Sequence, residues 1–338
     1  MKMTRIGIDL AKNVFQVHGV DSHGKTVLQK QLSRAKVIEF FAHLEPCRIG
    51  MEACAGAHYW ARELSKQGHE ARLIAAQFVR PYRKNEKNDK NDAEAICEAA
   101  GRPNMRFVPV KSLVQQAVLT VHRVRQLRVA ERTALVNQIR GLLAEYGIVL
   151  AQGIVRLRRE LPRILEDADN NLPDLARAVF AELRSRLTEH DRQIADYDRH
   201  VDQLAAQSEP ARRLMKLEGI GPLTATAIVA SIDDGKCFRN GRQFAAWLGL
   251  TPRQHSTGGK ARLGSMSKRG DVYLRTLLIH GSRSALLRTA HRTDVKSRWV
   301  EALKRRSCNN VAAVALAAKH ARIIWAMLAR NQEYCLAV

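Results

Sequence analysis

Residues 3–20, MTRIGIDLAKNVFQVHGV, contain two short runs in which apolar residues alternate with polar or small ones. Ile6 and Ile8 belong to the first run, and the alternation resumes at residues 14–17 after a polar break. Two such runs joined by a short polar link predict a β-hairpin. Asp9 then falls at the end of the first strand, where a carboxylate is costly unless it is paired or holds a metal ion. The alternative is that Asp9 caps the turn through its own backbone.

The charge of the chain predicts a polyanionic partner. Its 338 residues include 56 Lys and Arg against 33 Asp and Glu, a formal net charge of +23. A chain this basic usually binds nucleic acid, and an anionic membrane surface is the alternative. We find no apolar run long enough to span a bilayer and no signal-peptide pattern, so no membrane partner is expected. The length predicts about two domains.

The six cysteines are scattered along the chain and lack the CxxC spacing of a zinc site. We interpret them as reduced, small apolar side chains of a cytoplasmic protein. This interpretation excludes both a zinc site and a disulfide framework.

The first hundred residues alternate strands with helices. After the hairpin, the sequence predicts a strand at 25–32, a helix at 35–44, a strand at 48–52 that ends on Glu52, a helix at 57–68 and a strand at 71–75. This order predicts a mixed α/β sheet in the N-terminal part of the chain.

Residues 80–101, RPYRKNEKNDKNDAEAICEAAG, carry a second pair of acids. A helix is predicted to begin at Asp92, and Asp89 lies three residues before it, so the two carboxylates can share one face. Either residue could instead cap the helix. A single cap would leave the other Asp unexplained.

Long helical periodicity follows. Residues 112–146 are rich in Arg, and residues 172–206 carry an apolar stripe. Two long amphipathic helices suggest an antiparallel coiled-coil arm or a dimerisation element. A solvated internal hairpin of helices is the alternative.

Residues 213–231, RLMKLEGIGPLTATAIVAS, have the pattern of a helix-hairpin-helix element with the turn Gly219-Ile220-Gly221. Gly219 and Gly221 would let backbone N–H groups approach a phosphate at a helix N-terminus without reading sequence. The alternative is an ordinary Gly-Pro turn between two helices.

A glycine-rich loop follows a short helix at 244–250. Residues 251–271, TPRQHSTGGKARLGSMSKRGD, combine four glycines with hydroxyl and basic side chains, which predicts a phosphate cradle. Residues 253–322 hold 16 Lys and Arg against 3 Asp and Glu. Helices are predicted at 273–287, 295–306 and 311–329. The candidate phosphate contacts of the loop are Lys260, Arg262, Lys268 and Arg269.

Four carboxylates therefore stand out: Asp9, Glu52, Asp89 and Asp92. Acids at strand ends together with acids on a nearby helix are what a two-metal nuclease site requires. Magnesium prefers hard oxygen ligands, and a pair of ions stabilises the attacking and leaving oxygens of a phosphodiester. The set predicts a ribonuclease-H-like nuclease or recombinase domain with Mg²⁺ as its cofactor.

In order and spacing, five segments resemble a bacterial insertion-sequence recombinase family: GIDLAKNVFQVHGVD, GMEACAGAHYWARELSKQGHEARLI, KNDKNDAEAICEA, LEGIGPLTATAIVA and FAAWLGLTPRQHSTGGKARLGSMSKRGDVYLRTLLIHGSRSAL. The resemblance runs from about residue 5 to about residue 325. Members of this family join a RuvC-like Asp-Glu-Asp-Asp domain to a C-terminal transposase domain with a nucleophilic serine. The resemblance implies that Asp9, Glu52, Asp89 and Asp92 are the catalytic, metal-binding acids.

The resemblance also implies strand exchange between donor and target DNA through a covalent phosphoserine link. Family members use a structured RNA, encoded beside the recombinase gene, to choose both DNAs. They act as homo-oligomers, here expected as a dimer or tetramer, in which the serine of one subunit meets the acidic site of another. Such a protein would lie in the bacterial cytoplasm, associated with the nucleoid.

The nucleophile is predicted to be Ser256. Many relatives carry a Ser directly before the glycine of the loop, but that position is Thr257 here, with Ser256 just before it. A primary hydroxyl is less hindered than a β-branched one, which favours Ser256 and keeps Thr257 as the alternative. Lys260 and Arg262 would neutralise the phosphate in the transition state.

The predicted fold class is α/β plus all-α. Residues 1–108 would form a RuvC-like ribonuclease-H-fold domain, residues 109–207 a helical coiled-coil linker, and residues 208–338 a C-terminal transposase domain with the helix-hairpin-helix and the serine loop. Two other functions fit the residues: a metal-dependent junction-resolving nuclease without a covalent intermediate, and a non-enzymatic nucleic-acid-binding protein. The second of these leaves four placed acids unexplained.

Overall fold

The computed structural model describes residues 3–84 and 88–335. The chain divides into two compact units, residues 1–112 and 113–338. The first is built on a mixed β-sheet and the second mainly from helices, which confirms the predicted change of class along the chain. The change occurs where alternating strands give way to uninterrupted helical periodicity.

The first unit is organised around a six-stranded sheet made of β1 (Arg5–Leu10), β2 (Val14–Val20), β3 (Thr26–Ser33), β4 (Arg48–Glu52), β5 (Glu70–Ile74) and β6 (Phe107–Val108). The strands lie in the order β3-β2-β1-β4-β5-β6. β1 is parallel to β4, and β4 is parallel to β5, whereas the remaining neighbours are antiparallel. The predicted hairpin is therefore β1 and β2, and it is confirmed.

Helices cover both faces of this sheet: α1 (Val37–Ala42), α2 (Ala57–Lys66), α3 (Ala76–Val79) and α4 (Asp89–Ala100). Side-chain alternation on the strands separates the two layers. Ile6 and Ile8 of β1 share a core with Trp60 and Leu64 of α2. The opposite face of β1 lies against α4, because Gly7 is close to the backbone of Ala93 and Cys97.

The second unit contains α5 (Leu113–Ala144), α6 (Ile154–Glu166), α7 (Asp174–Gln207), α8 (Glu209–Leu214), α9 (Pro222–Ile232), α10 (Gly241–Trp247), α11 (Val272–Leu286), α12 (Val295–Arg306) and α13 (Asn309–Ala329). α5 and α7 pair in antiparallel fashion, because Arg125 contacts Asp198 while Arg132 contacts Asp191. The sequence predicted both long helices but not α6, which packs Leu157 and Leu161 between them.

The predicted glycine-rich loop is largely a β-hairpin of β7 (Pro252–Gln254) and β8 (Leu263–Met266). Both strands are short and mostly exposed. Strands of this kind lack the alternation of buried and exposed residues that reveals longer strands in a sequence.

Helix α13 corrects one expectation. By length and composition it is long and apolar enough to cross a membrane. The prediction that the chain has no apolar run of that length was therefore wrong. Half of its apolar window is buried inside the protein. Leu316, Ala317, Ala321 and Ile324 of this helix belong to the core of the second unit. Its hydrophobicity is explained by that burial.

Candidate functional site

Two of the four predicted acids lie at the same edge of the sheet. The parallel register of β1 and β4 pairs Gly7 with Gly50 and Ile8 with Met51. Asp9 follows Ile8 and Glu52 follows Met51, each near the carboxyl end of its strand. Parallel strands end at one edge of a sheet, so the two carboxylates are brought together there.

Two glycines let α4 approach this edge. A Cβ on Gly7 would lie 2.2 Å from the carbonyl oxygen of Ala93, and a Cβ on Gly50 would lie 2.6 Å from the Cβ of Ala100. Each glycine is followed two residues later by an acid, and residues two apart on a strand share a face. Asp9 and Glu52 therefore lie on the face that α4 covers.

The first turn of α4 carries Asp89 and Asp92, and neither residue caps the helix. The helix begins at Asp89, not at Asp92 as predicted, because Asn88 is the N-cap and its Oδ1 accepts the N–H of Asn91 at 2.8 Å. Carboxylates in a first turn are stabilised by the helix dipole. Neither acid is therefore used as the helix cap.

The other three acids contribute to the electrostatic environment of Asp9. Burial raises the pKa of Asp9 from 3.8 to about 6, and the negative charges of Asp92, Asp89 and Glu52 add to the rise. Arg83 is the positive charge that opposes it. Like charges that share a site disfavour ionisation in this way.

The donor set fits a divalent cation by chemistry and charge. Carboxylate oxygens are the ligands that Mg²⁺ prefers, and a cation would relieve the repulsion around Asp9. Among residues 3–84 and 88–335, no three His, Cys, Asp or Glu side chains already stand in coordinating positions. The other acids are close enough to influence the pKa of Asp9, but the described side chains do not form a metal-binding group as they stand.

Arg83 belongs to this cluster, and sequence reasoning missed it. Its Nε lies 2.6 Å from Oδ1 of Asp92, whose side chain is only 10% exposed. The next residue, Lys84, pairs with Glu94 of α4 at 2.8 Å. The only sequence signal was the position of Arg83 in a basic run just before the acids.

The second candidate site is the tip of the β7–β8 hairpin. Thr257 pairs with Lys260 across a two-residue turn of Gly258 and Gly259, whose φ angles are 56° and 76°. Positive φ at both positions suits glycine, which has no Cβ to clash. Ser256 is exposed, and its Oγ accepts a hydrogen bond from Nε2 of Gln254 at 2.8 Å.

The register of this hairpin separates the two candidate nucleophiles. Opposed residues lie on one face, and successive residues alternate. Thr257 opposes Lys260, and the N–H of His255 donates to the carbonyl of Arg262. Lys260 and Arg262 therefore lie on the Thr257 face. Ser256 lies on the other face, so this hairpin does not place the two cations beside it as expected.

Lys268 and Arg269 are exposed. The buried guanidinium of Arg275 donates from Nη1 to the carbonyl oxygens of Leu248 at 3.0 Å and Arg269 at 3.1 Å. The two basic side chains are thus exposed to solvent on a segment that Arg275 anchors, where a phosphate can reach them.

Gly219 and Gly221 have different surroundings. Gly219 has a φ of 79°, and a Cβ there would lie 2.3 Å from the carbonyl oxygen of Gly281 on α11. At Gly221, the N-cap of α9, a Cβ would meet no atom within 4 Å. Gly219 therefore serves close backbone packing, whereas Gly221 leaves the N-terminus of α9 open.

A buried polar network that sequence reasoning missed joins α5, α9 and α11. The hydroxyl of Thr226 donates to the carbonyl of Pro222 at 2.7 Å, so it accepts from Nε2 of His122 at 3.0 Å. Nδ1 of His122 then accepts from the hydroxyl of Tyr273 at 2.9 Å. Burial lowers the pKa of His122 to about 4, with a contribution from nearby arginines.

Comparison with protein families gives two matches. Residues 6–148 match a model described as a transposase (DEDD_Tnp_IS110). Residues 211–297 match the model described as the transposase IS116/IS110/IS902 family. The first match contains the four acids, and the second contains the glycine turn and the hairpin.

Individual relatives cover nearly the whole chain. A probable family 20 transposase of Pseudomonas aeruginosa is 52% identical, covering 99% of both chains. The transposase for insertion sequence element IS1111A of Coxiella burnetii is 44% identical, covering 97% of this chain and 90% of its own. The transposase for insertion sequence element IS1328 of Yersinia enterocolitica is 42% identical, covering 98% of both.

Proposed function

This chain belongs to the IS116/IS110/IS902 family of insertion-sequence transposases, and from that premise we propose that it exchanges donor and target DNA strands through a covalent phosphoserine intermediate. The gathering of four carboxylates around the end of β1 carries the proposal, because a protein that only binds DNA has no use for it. The raised pKa of Asp9, which burial causes first and the charges of Asp92, Asp89 and Glu52 increase further, supports this proposal.

Asp9, Glu52, Asp89 and Asp92 are the residues that would hold Mg²⁺. When bound, the ion would stabilise negative charge on the oxygens of the scissile phosphodiester. The acids themselves provide hard ligands at a sheet edge and a helix N-terminus, with Glu52 and Asp9 fixed by the strands. The parallel and antiparallel strand order of the first unit is consistent with a RuvC-like domain.

Ser256 would supply the nucleophile. Its hydroxyl oxygen bonds to phosphorus, the bond from phosphorus to the deoxyribose oxygen breaks, and the serine proton ends on that leaving oxygen. Attack by a hydroxyl of the second DNA then restores the serine. Lys268, Arg269 and the open N-terminus of α9 at Gly221 would hold the DNA backbone without reading sequence.

The partners follow from the resemblance and from charge. We propose that a structured guide RNA selects donor and target DNA, since a net charge of +23 suits more than one nucleic acid. The antiparallel pair of α5 and α7 would serve as a coiled-coil arm in a homo-oligomer. The turn at residues 219–221 would act as a helix-hairpin-helix. We propose domains at residues 1–108, 109–207 and 208–338. The protein would lie in the cytoplasm, associated with the nucleoid.

A denaturing gel of the protein with labelled DNA, its guide RNA and Mg²⁺ tests the proposal. We expect a covalent protein–DNA adduct that Ser256→Ala abolishes, together with recombination, while DNA binding persists. Thr257→Ala should have a much milder effect. An adduct that survives Ser256→Ala and vanishes in Thr257→Ala would make threonine the nucleophile.

The acidic site needs its own test. Asp9→Asn preserves size but removes a charged ligand, so recombination should collapse while the protein stays folded. Normal recombination by Asp9→Asn in Mg²⁺ would reject the acidic site.

A junction-resolving nuclease is the second candidate, favoured by the fact that the acids are gathered within the first unit alone. It would cleave DNA without any adduct.

A further inference from the structure

We propose that Arg83 is a positioning residue of the acidic site: it holds Asp92 as an internal counter-ion, and a divalent cation must displace it to bind. This inference rests on the proposed metal site. It adds a residue to that site and predicts that the residue opposes metal binding.

The segment that carries Arg83 is attached to α4 by two ion pairs. It follows the 3-10 turn Arg80–Tyr82, and its two basic side chains reach the first half of the helix. Nε of Arg83 lies 2.6 Å from Oδ1 of Asp92, and Nζ of Lys84 lies 2.8 Å from Oε1 of Glu94. The first pair is inside the acidic cluster, and the second is outside it.

The two pairs differ in burial. Asp92 and Arg83 have side chains only 10% and 26% exposed, whereas Lys84 is 66% exposed. A surface pair is worth little, but a buried charge without a partner is strongly destabilising. Removing Arg83 would therefore leave the buried carboxylate of Asp92 without its ion-pair partner.

The contact is also suited to exchange. Neither Nε of Arg83 nor Oδ1 of Asp92 makes a hydrogen bond of good geometry, so the contact between these two atoms is an ion pair without a well-formed hydrogen bond. A buried pair offsets its desolvation only when its hydrogen bonds are well formed. A divalent cation, with twice the charge and three further carboxylates nearby, would compete successfully for Asp92.

Two consequences follow. The acids can be gathered before any cation arrives, because one guanidinium removes part of their mutual repulsion. The affinity for the cation is reduced, because each binding event must first break the contact between Arg83 and Asp92.

The test uses the full-length protein and Mn²⁺ as the probe, measured by isothermal titration calorimetry, with thermal melting in EDTA as a second readout. Arg83→Gln should bind Mn²⁺ about tenfold more tightly and should melt at a lower temperature in EDTA. Added Mn²⁺ should close that difference in melting temperature. Lys84→Gln, the matched control, should leave Mn²⁺ affinity unchanged.

Affinity that is unchanged or weaker in Arg83→Gln overturns the inference, since a ligand-orienting or merely structural arginine gives that result. In an Asp92→Asn background, adding Arg83→Gln should change Mn²⁺ affinity no further. If Arg83→Gln does not fold, Arg83→Lys replaces it. The lysine variant should bind Mn²⁺ more tightly than the wild type, and equal or weaker binding overturns the inference.

Failure of the proposed function looks different. Asp9→Asn should lose Mn²⁺ binding, and retention of wild-type affinity in that variant would reject the metal site itself. In that case, the result for Arg83 would no longer concern a metal site.

Discussion

Gly7 on β1 lies directly against Ala93 on α4, so closely that a Cβ on Gly7 would be 2.2 Å from the Ala93 carbonyl oxygen. Gly50 on β4 meets Ala100 of the same helix in the same way. No larger residue fits at either position without moving the helix. The acidic site depends on this approach, because it brings the first turn of α4 to the edge where Asp9 lies.

Gly7→Ala should therefore separate the acids. The added methyl group meets backbone atoms, which cannot rotate away, so the helix must shift. We expect a loss of about 1–3 kcal/mol in the free energy of unfolding and weaker Mn²⁺ binding. Chemical denaturation and calorimetry measure the two effects.

Gly141→Ala is the matched control. Gly141 lies exposed on α5, and a Cβ there would meet no atom within 4 Å. Alanine should raise stability by about 0.5–1 kcal/mol and leave Mn²⁺ binding unchanged. If Gly7→Ala also keeps full Mn²⁺ affinity, the close crossing does not position the acids.

The sheet was predictable because its strands are long enough to show a period. The strand at Arg48–Glu52 was predicted with both ends correct, and the β1–β2 hairpin was predicted from its alternation. β6 has two residues and therefore no period to detect. α6 contains Pro162, which argues against an uninterrupted helix.

The positions of the acids near two strand ends and in the first turn of a helix were close to those predicted, but their surroundings were not predictable, and their metal-binding role stays a prediction. A carboxylate near a strand end is visible in the sequence, as Asp9 was. The start of α4 was predicted at Asp92, three residues too late, because Asn88 has the same capping preference as the aspartates and supplies the cap. Arg83 was missed because one arginine in a basic run looks like the others until its partner is known.

The buried His122 should make stability fall in mild acid. Its pKa is lowered from 6.5 to about 4 in the folded protein. Between pH 4 and pH 6.5, His122 is protonated in the unfolded chain but neutral in the folded protein. The contribution of neutral His122 to the free energy of unfolding is about 3 kcal/mol at most. It is present above pH 6.5 and is lost as the pH falls toward 4. Urea denaturation from pH 7.5 to pH 4.5 measures it.

His122→Gln should be less stable than the wild type at pH 7.5, because Tyr273 and Thr226 lose a partner. Its stability should also fall less steeply with acid. His200→Gln, at an exposed position on α7, should keep the wild-type pH dependence. An equally steep fall in His122→Gln would assign the effect to another group.

The two glycines of the turn at residues 219–221 should respond differently to alanine. Gly219→Ala adds a Cβ against the backbone of Gly281 at positive φ, so it should lower the free energy of unfolding by about 2 kcal/mol or more. Gly221→Ala should change stability by less than about 0.5 kcal/mol. It should still weaken binding to DNA of any sequence, as measured by fluorescence anisotropy. Unchanged binding would mean that no phosphate approaches the N-terminus of α9.

Reversing the charges of Lys268 and Arg269 should weaken DNA binding for all sequences alike. Each phosphate contact releases counterions, so the slope of log K against log salt should fall by about 2 in the double Glu variant. The melting temperature should stay unchanged, because Arg275 holds this segment through backbone carbonyls. A loss confined to one target sequence would place these side chains at base edges instead.

Because Ser256 and Thr257 lie on opposite faces of the β7–β8 hairpin, reaction kinetics can distinguish which of them is the nucleophile. Lys260 and Arg262 lie on the Thr257 face, away from Ser256. If Ser256 attacks the phosphate, Lys260→Gln and Arg262→Gln should raise the dissociation constant for DNA but leave the rate of adduct formation at saturating DNA unchanged. If Thr257 attacks, the same variants remove charge beside the reacting phosphate. The saturated rate should then fall by about tenfold or more, as expected for lost transition-state stabilisation.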